Sequence, residues 1–292
     1  MAKTRRSTPY IFAAPATLVV VGLMVVPLLL LILYSLLNNI ITEPEPDFVG
    51  IHHYRTLFEK EEFLQSLWRT AGFTVMSVLG HFIVGLGLAT MLNSSLIGRR
   101  ITALLRVVFV IPWFFTAAVV AVLWRLILDP HGVLNYFLTE YSGLDEPIAW
   151  FGNPDTALIS LIVMYIWAGY PFFLITFLAG LQGVSGDLLE AAQLDGAGWM
   201  RRYRSVVIPQ LRPILISMTM LDVLWTSQHF SLIWLTTAGG PLNTTQMVSI
   251  FTYRSAFAEY AFSQASAAAV VLVAFSMLVA VFYVRSQRAV SE

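Results

Sequence analysis

Six apolar runs alternate with polar segments along the 292-residue chain. They cover residues 11–37, 70–92, 107–124, 156–183, 214–235 and 261–284. Each comes near or exceeds the ~20 residues an α-helix needs to cross a bilayer. The first run is longer than the ~7–15 apolar residues of a signal-peptide core and has no clear small-residue cleavage site, so it predicts a retained helix. Pro15, Pro27 and Pro112 predict bends. Segments 38–67 and 129–155 are acidic, with Glu43, Glu45, Asp47, Glu59, Glu61 and Glu62 in the first and Glu140, Asp145 and Glu146 in the second. Segment 93–106 is short and basic, and 236–260 is marked by Gly and Pro. The pattern predicts an all-α polytopic membrane protein with six transmembrane helices.

Composition agrees with that reading. The chain is 58% hydrophobic and 12% charged, about half the ~25% charged residues of a soluble domain. The net charge of +0 points to no class of partner. The absence of cysteine excludes disulfides and thiolate chemistry. Lys and Arg are distributed unevenly. Lys3, Arg5, Arg6, Arg99, Arg100, Arg106, Arg201, Arg202, Arg204, Arg212, Arg285 and Arg288, 12 of the 17, fall on one side of the predicted spans. Arg55, Lys60, Arg69, Arg125 and Arg254 fall on the other. The excess predicts that both termini and segment 187–213 are cytoplasmic, which an even number of spans satisfies.

Segment 187–213, DLLEAAQLDGAGWMRRYRSVVIPQLRP, is the long polar stretch between two strongly apolar ones. Asp187 followed by Glu190 predicts a capping-box-like helix start. Glu190, Ala191 and Ala192 favour helix and present a small-residue surface. Gly196, Ala197 and Gly198 predict a turn, and the run from Trp199 to Arg204 predicts a second, basic helix. Pro209 and Pro213 are expected to mark the start of the next span.

Glu190-Ala191-Ala192, Asp195-Gly196-Ala197 and Ile208-Pro209, with Leu211 and Pro213, resemble without a gap the EAA loop of binding-protein-dependent ABC importer permeases. The resemblance covers residues 66–285. It leaves 1–65 as an added N-terminal helix with its outer loop and 286–292 as a cytoplasmic tail. It implies a type I importer permease fold whose loop is a cytoplasmic coupling helix seated in an ATPase subunit. Glu190, Ala191, Ala192, Asp195, Gly196, Ala197, Ile208 and Pro209 are then the coupling residues. The implied partners are a second, homologous permease, two ATPase subunits and an extracytoplasmic sugar-binding protein, in a bacterial inner membrane. The loop Thr237-Ala238-Gly239-Gly240-Pro241 resembles the outward-facing loop of carbohydrate-uptake permeases, so the implied substrate is a sugar, a di- or oligosaccharide.

Ionisable residues within spans usually face the bundle interior or a wet cavity. On a continuous helix, at about 100° per residue, Asp222, Trp225, Thr226 and His229 fall within an arc of about 100°. A carboxylate, an indole, a hydroxyl and an imidazole together suit a sugar. Tyr165, Gly169 and Phe172 follow i, i+4, i+7 spacing, although such stripes more often serve helix packing. They resemble pocket positions of maltose-type permeases, as do Trp225, Thr226 and His229. Tyr165, Thr226 and His229 stand where that family commonly has asparagines, which leaves the solute open. His81 reads as a histidine bonded to a neighbouring helix, and Gly80, Gly85 and Gly87 suit close packing. No G-x-x-x-x-G-K-[ST] occurs, so ATP hydrolysis belongs to another subunit. Neither a metal, a cofactor nor a nucleic acid is expected. Two other readings stay open: a proton-coupled secondary transporter using Asp222 and His229, and a scaffold without transport.

Overall fold

The computed structural model describes residues 8–38, 45–94, 96–141, 143 and 145–291. Lys3, Arg5, Arg6 and Glu43 lie outside the described residues, as does the side chain of Arg288. The described chain is helical, with one isolated antiparallel bridge between Leu37 and Phe48. In order it forms α1 (Phe12–Ser35), α2 (His52–Glu59), α3 (Glu61–Leu92), α4 (Arg99–Val110), α5 (Ala117–Ile127), α6 (Val133–Tyr141) and α7 (Pro154–Gln182). Then come α8 (Gly186–Leu194), α9 (Trp199–Ser227), α10 (Ser231–Thr236), α11 (Val248–Phe257) and α12 (Phe262–Arg285). Among the described residues five helices are long and apolar enough to cross a membrane, and six if α4 and α5 form one span.

Two compact units divide the chain. One holds residues up to Leu64 together with Phe251–Ala274. In it Ser35 and Tyr54 share a hydrogen bond of 2.7 Å, and the rings of Phe63 and Phe251 lie 5.3 Å apart. Leu18, Leu23, Met24 and Leu29 of α1 are exposed, as expected of side chains that face lipid. The other unit, Gln65–Ile250 with the chain from Phe275 onward, carries the candidate site residues. Its apolar core has two clusters. Ala89, Phe173, Phe177, Leu211 and Leu215 form one, and Phe73, Val120, Leu161, Met164 and Ile233 form the other.

Lipid is as apolar as leucine, so helices associate there by close contact and internal hydrogen bonds. Glycines on α3 supply the contact. A Cβ on Gly80 would strike the Ile166 side chain of α7, and one on Gly85 would strike Phe173. Gly87 departs from expectation, since a Cβ there meets nothing within 4 Å.

Several boundaries differ from the hydropathy reading. α3 starts at Glu61 rather than residue 70, and segments 38–67, 129–155 and 236–260 contain α2, α6 and α11. The expected third span is broken, because α4 and α5 meet at 102°. A 3₁₀ turn at Ile111–Phe114 holds Pro112, and the Thr116 hydroxyl accepts from the Val119 N–H to start α5. Proline thus ends one helix and a threonine cap opens the next.

Pro209 and Pro213 do not mark a helix start. They lie inside α9, as Pro27 lies inside α1. In both helices a π turn, Val21–Val25 or Tyr203–Val207, ends just before the proline. The Ile208 N–H reaches back five residues to the Tyr203 carbonyl. That wider turn changes register where proline offers no N–H, and the helix continues past it.

Gly85→Val is expected to cost about 1–3 kcal/mol by overpacking α3 against α7. Gly87→Ala is expected to be neutral or slightly stabilising, since it removes a flexible residue from open space. Thermal unfolding in detergent checks both, and equal losses for the two variants would contradict this packing.

Candidate functional site

α3, α7 and α9 meet at a buried polar knot. His81 of α3 and Asp222 of α9 are 1% and 6% exposed. His81 Nδ1 lies 2.8 Å from Asp222 Oδ2, and its Nε2 lies 3.0 Å from the Tyr165 carbonyl oxygen on α7. A carbonyl only accepts, so Nε2 donates. Thr226 donates to Asp222 Oδ1 at 3.2 Å, and its hydroxyl is 3.3 Å from the Tyr165 hydroxyl. Gly169 makes room for this arrangement, because a Cβ there would collide with His81 Nε2. His81 therefore bonds to neighbouring helices, as expected.

Beside the knot lies a cavity of about 220 Å³, the volume of about seven waters at ~30 Å³ each. His81, Asp222, Tyr165, Gly169 and His229 line its polar side. Trp113, Phe115, Phe172 and Trp225 line its aromatic side. Trp113 stacks on Phe172 with ring centres 5.7 Å apart, and Phe172 stands 5.5 Å from Trp225. Trp225 is 53% exposed, so its ring presents free area.

The expected residues are distributed as follows. Tyr165, Gly169, Phe172, Asp222, Trp225 and His229 border the cavity. Thr226 is buried behind it and bonds within the knot. The shared-arc argument fails for His229, because α9 ends at Ser227 and His229 sits in the turn that follows. Its ring nonetheless lies 4.7 Å from that of Tyr165, held by a Ser249 hydroxyl bonded to the His229 carbonyl. A proton relay from Asp222 to His229 is not supported, since the carboxylate is bonded to His81 and Thr226. Sequence reasoning did not place Trp113 and Phe115 here. The signal was the run Pro112 to Thr116, a helix stop, three aromatics and a cap.

The expected coupling segment forms α8, a reversal and the start of α9. Its opening differs from the predicted capping box. Ser185 is the N-cap, without a side-chain bond, and Asp187 lies in the first turn, where a carboxylate favours the positive helix end. The exit is a Schellman motif. The Ala197 N–H bonds to the Ala192 carbonyl and the Gly196 N–H to the Gln193 carbonyl, each at 3.0 Å. Gly196 has φ +79°, which disfavours any residue with a Cβ. Glu190, Ala191, Asp195 and Pro209 are exposed, and Ala192, Ala197 and Ile208 are half-buried. Leu188, Leu194, Trp199 and Met200 are exposed on the same segment.

Residues 81–292 match the family described as "Binding-protein-dependent transport system inner membrane component". The chain belongs to that family and is the membrane component of such a transport system. It is 31% identical over 245 residues to the "Trehalose/maltose transport system permease protein MalF" of Thermococcus litoralis, covering 84% of this chain and 81% of the relative. Its fold matches a chain of a bacterial ABC transporter "involved in the import of the acidic polysaccharide alginate", with TM-score 0.83, 21% identity and 97% and 96% coverage. A second structure of an alginate transporter, "in complex with alginate pentasaccharide-bound periplasmic protein", gives TM-score 0.84 at 21% identity, covering 97% and 94%. The likeness identifies the type I ABC importer permease fold.

His81→Ala and Asp222→Ala are each expected to cost about 3–5 kcal/mol, because each strands the other group in a buried site. The double variant should lose clearly less than the sum. A double-variant cycle of unfolding in detergent measures this, and strict additivity would exclude the pairing.

Proposed function

We propose that this chain is the membrane-spanning subunit of an ATP-driven importer that moves a sugar delivered by an extracytoplasmic binding protein. The sugar is a di- or oligosaccharide, of which the 220 Å³ cavity takes one part. The chain works with a second homologous permease and two separate ATPase subunits. It resides in a bacterial inner membrane with both termini cytoplasmic. The trehalose/maltose relative and the alginate complexes support the sugar, and the excess of Lys and Arg on one side supports the orientation.

The observation that carries this reading is a single continuous helix. α9 begins in the basic, exposed segment after Gly196 and ends beside Asp222, Trp225 and Thr226. At ~1.5 Å per residue its 29 residues span roughly 43 Å. Leu188, Leu194, Trp199 and Met200 offer apolar surface around the small-residue turn, which suits a protein cleft. When the ATPases close, they carry α8 with them. The fixed Schellman turn passes that displacement to α9, and α9 moves the cavity wall. The side from which the cavity is open changes in turn. Tyr165, Gly169, Phe172, Asp222, Trp225 and His229 form the solute wall, and Thr226 positions Asp222 and Tyr165.

Gly196→Arg tests the link, because it breaks the turn without touching the cavity. The variant is expected to insert and bind the ATPase normally, with ATP-dependent uptake in proteoliposomes reduced at least tenfold. Normal uptake with ATPase bound would refute the mechanical link.

A further inference from the structure

We infer that the cavity takes an uncharged, hydroxyl-rich ring and discriminates against anionic sugars. The inference rests on the reading above that this cavity receives sugar, and it adds the charge class. The argument starts with protons. His81 Nε2 faces the Tyr165 carbonyl at 3.0 Å and carries a hydrogen. Its Nδ1 faces an Asp222 oxygen at 2.8 Å, and a bond there needs one further proton. That proton sits either on the imidazole, giving imidazolium and carboxylate, or on the carboxyl, giving two neutral groups. The sum of the two charges is zero in both cases.

The rest of the wall adds no fixed charge. Among the described residues that line the cavity there is no lysine or arginine; Tyr165 and His229 are its remaining titratable groups. A carboxylate or sulfonate entering here would find no lysine or arginine, and an imidazolium at His81 would already be paired with Asp222; an unpaired ion in an apolar surround costs several kcal/mol. An amine would find Asp222 already bonded to His81 and Thr226. A neutral ring finds two complementary surfaces. The half-exposed indole of Trp225 offers a flat face. Nε2 of His229 is buried without a hydrogen-bond partner, and an imidazole nitrogen can donate to or accept from a hydroxyl. The volume of about 220 Å³ has room for one sugar ring. The solved alginate importer, described as handling an acidic polysaccharide, shares the fold, so the fold by itself does not set the charge class.

The test is direct binding to the assembled complex in lipid nanodiscs, without binding protein, for wild type and Trp225→Ala. Trehalose, maltose and raffinose serve as uncharged probes; glucuronate and a mannuronate disaccharide serve as anionic ones. The expected result is that at least one uncharged probe binds ten or more times tighter than either anion, and that Trp225→Ala weakens it at least tenfold. Anionic probes binding as tightly as uncharged ones, with the same dependence on Trp225, would overturn the charge class and leave the sugar reading standing. If no probe binds and Trp225→Ala changes nothing, the sugar reading fails and takes the inference with it.

Discussion

An imidazole and a carboxylate inside hydrocarbon are costly unless each finds a partner. His81 and Asp222 find each other at 2.8 Å, and the remaining ring nitrogen finds the Tyr165 carbonyl. That one arrangement ties α3, α7 and α9 at a single level. It requires a glycine at position 169, because any side chain there would occupy the place of the imidazole. It also orients Thr226 and, through it, the Tyr165 hydroxyl. The aromatic wall then forms around a fixed polar base and not around a mobile one.

The same tie gives α9 its mechanical meaning in the proposed function. One end of the helix is pinned beside the cavity. The other emerges from a reversal whose geometry is fixed by a Schellman motif and a left-handed Gly196. Between the ends, the π turn at Tyr203–Val207 lets the helix continue through Pro209. The Tyr203 hydroxyl bonds to Thr90 of α3 at 2.8 Å, so α9 is tied to α3 at two levels. In the proposed function, a displacement of the loop would reach the cavity as movement of a braced rod.

Much of this was legible in the chain. The apolar runs located the spans because hydrocarbon leaves a helix no alternative. The loop was legible through its ungapped resemblance to the EAA loop of importer permeases; its residues alone predicted only a helix, a turn and a basic restart. Other features were hidden for physical reasons. Wheel arithmetic assumes an unbroken helix, and α9 stops two residues short of His229. Pro27 read as a bend and Pro209 as the start of a span, yet a π turn just before each lets the helix continue. Pro112 read as a bend, yet with the Thr116 cap it marks a break that brings Trp113 and Phe115 to the cavity. The pairing of His81 with Asp222, 141 residues apart, leaves no periodic trace.

The chain contains no cysteine, so a single Ala191→Cys substitution gives an unambiguous chemical handle on the exposed loop helix. The decisive measurement combines two readouts on that variant in the assembled transporter: labelling by a membrane-impermeant maleimide from either side, and cross-linking to the ATPase subunits. The account predicts labelling from the cytoplasmic side alone and a cross-link to an ATPase subunit whose yield changes with bound ATP. Labelling from the outside, or no cross-link in any nucleotide state, would contradict it.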